Sequence, residues 1–402
     1  MHIKPSPRRG EMERGFFFAI IAGLVLIAFG SCREGDNVIP STPETPGGTV
    51  TSTSVAGMYV LNQGNMGSNK CTVDYLDLTG STASYLRNIY SERNPSEVKE
   101  LGDVGNDIEI YGSKLWIVVN CSNKVEVATV DGCRKLGKID IPNCRYVVFD
   151  GSYAYISSYV GSVADGVDCP VGSVFKVDTL SLSVVGRVDV GYQPDELAVV
   201  DGKLYVANSG GYRYPDYDRT VSVIDLKTFR EESRIDVGIN LERCRADRYG
   251  QLWVTSRGDY YDTPSNIYWL KKDQNGDMQV GGTLNQPVSD MCIVGDSLYF
   301  YSTEWSYVTQ SNTVKYGIIN VKTHEIVSDK LSSASEIGDI EMPYGIVVNP
   351  IDRDFYLMDA KNYVSSGELL HFHRDGTFDW RVSTGDIPCR AAFVFKEKEI
   401  NK

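Results

Sequence analysis

Histidine is scarce: the 402 residues contain four. The short signatures of common catalytic chemistry are missing too. There is no G-x-S-x-G, no H-E-x-x-H, no phosphate loop and no dinucleotide fingerprint. Positive charge is in deficit, with 40 Lys and Arg against 53 Asp and Glu, a net −13. Without residues 1–31 the balance is 36 basic against 51 acidic, a net −15. This argues against nucleic acid as the main partner, because phosphate binding needs a concentrated basic face. No long stretch repeats its apolar residues at helical spacing. The plentiful residues are 38 Gly and 25 Tyr, within 42% apolar content. Such a composition excludes wholesale disorder and favours strands joined by tight turns.

The first 31 residues read as an export signal. Lys4, Arg8, Arg9 and Arg14 precede an unbroken apolar run, GFFFAIIAGLVLIAFG, over 15–30. Ser31-Cys32 follows and resembles the lipobox of bacterial lipoproteins, although Phe29 stands where Leu is usual. The resemblance implies cleavage before Cys32 and acylation of that residue. Residues 32–56 then form a Ser/Thr/Pro/Gly-rich tether with little to bury, expected to be extended and mobile. Glu34 and Asp36 close behind the cysteine resemble the signal that sends some lipoproteins to the outer face of the outer membrane. An ordinary signal peptide or a single membrane anchor is the competing reading.

From 57 to 402 one phrase recurs: a short apolar strand, a Gly or Asp turn, then an apolar residue, an aromatic and further β-formers. It appears at 107–120, 146–158, 196–209, 244–256, 290–302 and, two residues longer, 345–359. Its aromatics are Trp116, Tyr155, Tyr205, Trp253, Tyr299 and Tyr356, spaced by 39, 50, 48, 46 and 57 residues. Tyr59 in GMYVLN adds a seventh marker. About 49 residues per unit is the size of a four-stranded propeller blade. Turns such as D-L-K-T in 221–238 mark a hairpin between the third and fourth strands. The first unit lacks its innermost strand, and IPCRAAFVF at 387–395 matches that missing piece. The expectation is an all-β, seven-bladed β-propeller closed by the C-terminal strand completing the first blade.

The phrase P-x-x-L-A-V…G-K-L-Y-V-A-N with a following V-S-V-I-D strand resembles the YVTN-type and YncE-like β-propellers. The opening GMYVLNQGNMGSNKCTVDYLDL, behind a lipobox and tether, resembles the propeller lipoproteins of gut-commensal Gram-negatives, which include the cobalamin-capturing BtuG type. That resemblance implies a surface lipoprotein that binds cobalamin or a related corrinoid as ligand and passes it to a TonB-dependent outer-membrane transporter. It implies no catalysis and no cofactor. Propellers host unrelated activities, so two alternatives stand beside it: a lactonase or lyase with a channel metal, and a glycan-binding or adhesion protein.

In a propeller the loops between strands two and three, and those leading into strand one, share one face around the channel mouth. Here that face carries Tyr159, Tyr212, Tyr214, Tyr217, Tyr260, Tyr261, Trp305, Tyr307 and Tyr363. Tyrosine and tryptophan offer stiff contact area with a polar tip. Aligned without gaps, the residues leading into strand one are Asn106/Asp107, Arg145/Tyr146, Asp195/Glu196, Arg243/Cys244, Ser289/Asp290, Tyr344/Gly345 and Cys389/Arg390. Arg145, Asp195, Arg243, Tyr344 and Arg390 join the aromatics as candidate ligand-binding residues; channel salt bridges are an equal reading of the charged ones. His371 and His373 alternate on one strand, where a solvent-facing pair is expected rather than a metal site. Asp165, Asp168, Asp216 and Asp218 form no spaced calcium loop. Eight cysteines remain beyond Cys32. A disulfide is plausible among Cys71, Cys121, Cys144 and Cys169, with pairing unreadable from sequence, while Cys292 is expected as a buried thiol.

Overall fold

The computed structural model describes residues 42–47, 55–97, 101–306 and 311–396. The leader, Cys32 and Tyr307 lie outside the described residues.

The described chain forms seven antiparallel sheets of four strands, a seven-bladed β-propeller. Blade four shows the pattern: Pro194–Val200, Lys203–Asn208, Thr220–Asp225 and Arg230–Asp236 pair in chain order. Only blade one departs. Its innermost strand is Pro388–Phe395, paired with Val55–Asn62 through Tyr59 opposite Ala392. The two ends of the repeat array thus share one sheet, and the ring has no free edge between its first and last units.

Each marker aromatic is on the second strand of its blade. Trp116, Tyr155, Tyr205 and Trp253 are all buried. They fill the spaces between sheets: Trp116 shares a core with Cys144, Val147 and Ile156 of blade three. Period-two alternation gives each strand two faces, and in a propeller both pack against neighbouring blades. Burying one large side chain contributes about 1.5–3 kcal/mol, so seven interblade cores hold the ring together.

The turns between strands three and four share a local solution. In blade four Asp225 accepts a hydrogen bond from the Thr228 amide, and Phe229 takes the left-handed conformation at φ 53°. Asp178 with Leu182 repeats this in blade three, and Asn320 with His324 in blade six. An Asx turn closed by one left-handed residue reverses the chain and leaves a bulge beside it.

Three findings differ from expectation. Part of the tether is attached: Glu44 exchanges two backbone hydrogen bonds with Tyr85, at 2.9 and 2.7 Å, on the outer strand of blade one. All eight described cysteines are free. Cys71 and Cys144 lie in different interblade cores and Cys121 is exposed, so no bridge forms among them. Burial pushes the Cys133 and Cys144 thiols up to about 12. Finally, Cys292 is only partly buried.

Candidate functional site

The channel mouth opens into a cavity of about 1010 Å³ lined by residues from all seven blades. Its wall is unevenly divided, with amides concentrated in blades one to three and aromatics in blades four to seven, apart from Tyr146 of blade three and Asn312 of blade six. Blades one to three present amides, including Gln63, Asn106, Asn120, Asn123 and Asn143. Blades four to seven present Tyr212, Tyr260, Tyr261, Trp305, Tyr344 and Tyr363. The amide half is prearranged. Asn120 Nδ2 donates to Asn143 Oδ1 at 2.7 Å, and Asn143 Nδ2 donates to the Gly161 carbonyl at 2.8 Å.

The aromatic half projects outward. Tyr212, Tyr260, Tyr261 and Trp305 are each more than half exposed. Residues 302–306, expected as loop, are strand. In blade six Ser297–Ser306 and Ser311–Asn320 form a hairpin of ten-residue strands, with Trp305 opposite Asn312 near its tip. The lengthened hairpin carries Trp305 beyond the end of the sheet.

Of the fourteen candidate residues, nine line the cavity: Arg145, Tyr212, Arg243, Tyr260, Tyr261, Trp305, Tyr344, Tyr363 and Arg390. Tyr159 and Asp195 lie beneath its wall. Both are buried, and the Tyr159 hydroxyl donates to Asp195 Oδ1 at 2.7 Å. Tyr214 and Tyr217 stand outside the cavity wall, where Tyr214 packs on Tyr217 and on Tyr261. Sequence reasoning missed Asn143 and Glu242, which sit one or two positions upstream of the aligned pairs; extending the alignment back by two residues would have found them.

The gap-free alignment also fails in blade five. Arg245 pairs with the marker Trp253, eight positions on, whereas Ala198 pairs with Tyr205, seven positions on. The blade-five turn is thus one residue longer. Arg243, not Cys244, is the equivalent of Glu196, and Cys244 is buried between blades.

With that shift, one level of the channel reads Asp107, Tyr146, Glu196, Arg243, Asp290, Gly345 and Arg390. These side chains pair across it. Asp290 receives Arg243 at 3.1 Å, Arg245 at 3.2 Å and Arg390 at 2.8 Å. Glu196 receives Arg245 at 3.0 Å. One level up, Asp195 receives Arg145 and Arg257, and Glu242 receives Arg257 at 3.3 Å. Two acids also tie neighbouring blades: Asp107 accepts the Val147 amide, and Glu196 accepts the Cys244 amide, each at 3.0 Å. The charged ring is therefore a paired network forming the cavity floor.

Burial alone would raise the Asp290 carboxyl, but Arg243, Arg390 and Arg245 outweigh it and hold it at about 2. Asp107 goes the other way. Burial pushes it above the usual carboxylate range. Glu109 is exposed to solvent, so the upward shift rests on the buried Asp107, and Glu109 keeps only the repulsion of that neighbour. Asp74 is raised as well, chiefly by burial.

These shifts set a pH profile. Asp290 contributes stability above its ordinary 3.8, and that contribution disappears as pH falls toward 2. Asp107 and Asp74, both buried, hold protons that the unfolded chain has already released, so stability declines as pH rises past the ordinary carboxylate range. Thermal melts across a pH series are expected to peak at mildly acidic pH, roughly 4–5. A melting temperature that climbs steadily from pH 5 to 8 would contradict the assignment.

Fold and site together define a class: a seven-bladed β-propeller with a wide, ligand-sized cavity at its channel mouth. No family model and no curated protein matches the sequence. Solved structures do. The chain is similar to a hypothetical selenium-binding protein from Sulfolobus tokodaii, at 11% identity and TM-score 0.61, covering 86% of this chain and 94% of that one. It is similar to the periplasmic gluconolactonase of Pseudomonas aeruginosa, at 11% identity and TM-score 0.56, covering 84% and 99%. It is also similar to a quinonprotein alcohol dehydrogenase-like protein from Bacteroides thetaiotaomicron, at 14% identity and TM-score 0.56, covering 84% and 78%. At such identities the likeness is one of fold.

Proposed function

We propose that the chain is a surface lipoprotein that captures a corrinoid, cobalamin first, and delivers it to a TonB-dependent outer-membrane transporter. The observation that carries the ligand class is the divided cavity wall, amides on one side and exposed aromatics on the other. A large ligand with flat apolar faces and an amide-bearing rim uses both halves: rings pack on its faces while Asn and Gln bond its rim. The lipobox and tether support delivery, since anchoring keeps the propeller at high effective concentration near a membrane partner. Calorimetry of the purified chain with a corrinoid panel, paired with absorbance spectra, is the test. Heat and a spectral shift with at least one corrinoid are expected. Neither signal with any of them would remove corrinoids from the reading.

A second reading has one specific observation behind it. Buried Asp107 is raised above the usual carboxylate range beside the arginine network, as a general acid requires, and Glu109 lies two residues along the same strand. A hydrolase acting on lactones would use them. Turnover of a lactone panel, lost in Glu109→Gln, would select this reading instead.

A further inference from the structure

His371 and His373 are not the solvent-facing pair that their strand alternation suggests. His371 is only 7% exposed. Its ring stacks on Tyr356, with centroids 4.6 Å apart, and leans on Trp380 at 5.0 Å. The histidines lie at the end of Ser366–Phe372 and just beyond it. Asp354 lies at the turn before Phe355–Asp359, and Asp379 on Phe378–Asp386. Turns joining strands one and two, and strands three and four, lie on the propeller face opposite the cavity.

His371 Nδ1 is 3.0 Å from Asp379 Oδ2. An ionised carboxylate only accepts, so Nδ1 carries the proton and donates it. Nε2 is left with its lone pair. That atom is buried and makes no hydrogen bond, although Asp354 Oδ2 is 3.3 Å away. Asp354 Oδ2 is also 3.0 Å from His373 Nδ1. The other Asp354 oxygen is held by the Arg374 amide at 2.9 Å. The three donor groups lie within 4.8 Å of one another. Metal–ligand bonds of about 2.0–2.2 Å place tetrahedral neighbours roughly 3.4 Å apart, so little rearrangement is needed to seat an ion.

We propose that Asp354, His371 and His373 bind one divalent transition-metal ion, with His371 Nε2, His373 Nδ1 and Asp354 Oδ2 as ligands. Asp379 is a positioning residue: by accepting the Nδ1 proton it fixes the tautomer and ring orientation that aim Nε2 at the ion, as in carboxylate–histidine–metal arrangements. The ion replaces the proton shared between His373 Nδ1 and Asp354. Two imidazoles and one carboxylate suit zinc, cobalt or iron rather than calcium or magnesium, which prefer oxygen alone. Nothing in this site touches the cavity lining, so it stands whether or not the corrinoid reading does.

The test uses the untagged chain, dialysed against chelator and titrated with Zn²⁺, then with Co²⁺ as a spectroscopic probe. One zinc per chain is expected, with visible Co²⁺ absorption bands and a higher melting temperature with metal. His373→Ala, at a half-exposed position, and Asp354→Asn are each expected to weaken zinc binding at least a hundredfold. Asp379→Asn should weaken it about 10–100-fold while keeping one zinc per chain and the Co²⁺ bands. Retention of the parent's metal-free melting temperature by His373→Ala shows that its loss of zinc is a loss of ligand. No zinc uptake by the parent, or uptake unchanged in both His373→Ala and Asp354→Asn, overturns the proposal.

Discussion

Asp290→Ala is expected to melt roughly 4–7 °C below the parent, a loss of about 3–5 kcal/mol. Asp290 is fully buried and sits among three guanidinium groups, those of Arg243, Arg245 and Arg390. Its removal leaves three buried positive charges with Glu196, Glu242 and Asp107 as their remaining partners. The cost of an uncompensated buried charge is much larger than the net worth of an intact pair. The position amplifies the effect, because Asp290 of blade six joins blade five to the C-terminal strand that closes blade one. Blade seven contributes Gly345, which has no side chain, at the same level. A Cβ at Gly345 would come within 2.6 Å of the Cys389 carbonyl oxygen. Asp290→Asn preserves shape but removes the charge, and is expected to lose most of the same stability. Thermal melts by circular dichroism check both variants; a change under about 1 °C in Asp290→Ala would show that the arginines find other compensation.

Tyr261→Ala and Trp305→Ala are each expected to weaken ligand binding at least tenfold while leaving the melting temperature nearly unchanged. An aromatic anchor that becomes buried on binding typically costs about 2–4 kcal/mol when cut to Ala, and each 1.4 kcal/mol is about tenfold in affinity. Both side chains are open in the free protein, Tyr261 at 58% and Trp305 at 53% exposure. Their truncation therefore creates no core cavity. Leu180→Ala, an exposed apolar change on a turn between strands three and four, is the control and should alter neither quantity. Calorimetry beside thermal melts separates the outcomes. Full affinity in both aromatic variants would place the ligand on the amide half of the ring. Parallel losses of affinity and stability would mean that these aromatics brace the loops instead.

Blade number, ring closure and marker aromatics were legible in the sequence because each rests on a local cause. Period-two alternation, Asx turns and an aromatic on every second strand depend on residues within a few positions of one another. Even the closing strand could be placed, since Cys389-Arg390-Ala391 carries the same pattern as the strands that open other blades. The face around the channel was legible too, because topology alone puts its loops together. Nine of fourteen candidate residues line the cavity for that reason.

Pairings across the channel were decided only by the tertiary structure. Arg390 and Asp290 are 100 residues apart, and no local pattern says which arginine meets which acid. A single extra residue in the blade-five turn exchanged Arg243 for Cys244 at the channel, since a one-position slip carries each strand residue to the opposite face. Tyr159 and Tyr212 look alike as loop tyrosines, yet Tyr159 is buried on Asp195 while Tyr212 lines the cavity. The alternation of His371 and His373 predicted one shared face correctly. That the face meets Asp354 and Asp379 depended on how two turns and a neighbouring strand pack. By itself, then, the sequence determined the repeat, the sheets and the face that carries the cavity, because short-range steric and hydrophobic periodicity controls those. Folding the ring determined which side chains face one another, because burial leaves each charge only the partners that packing brings within a few ångströms.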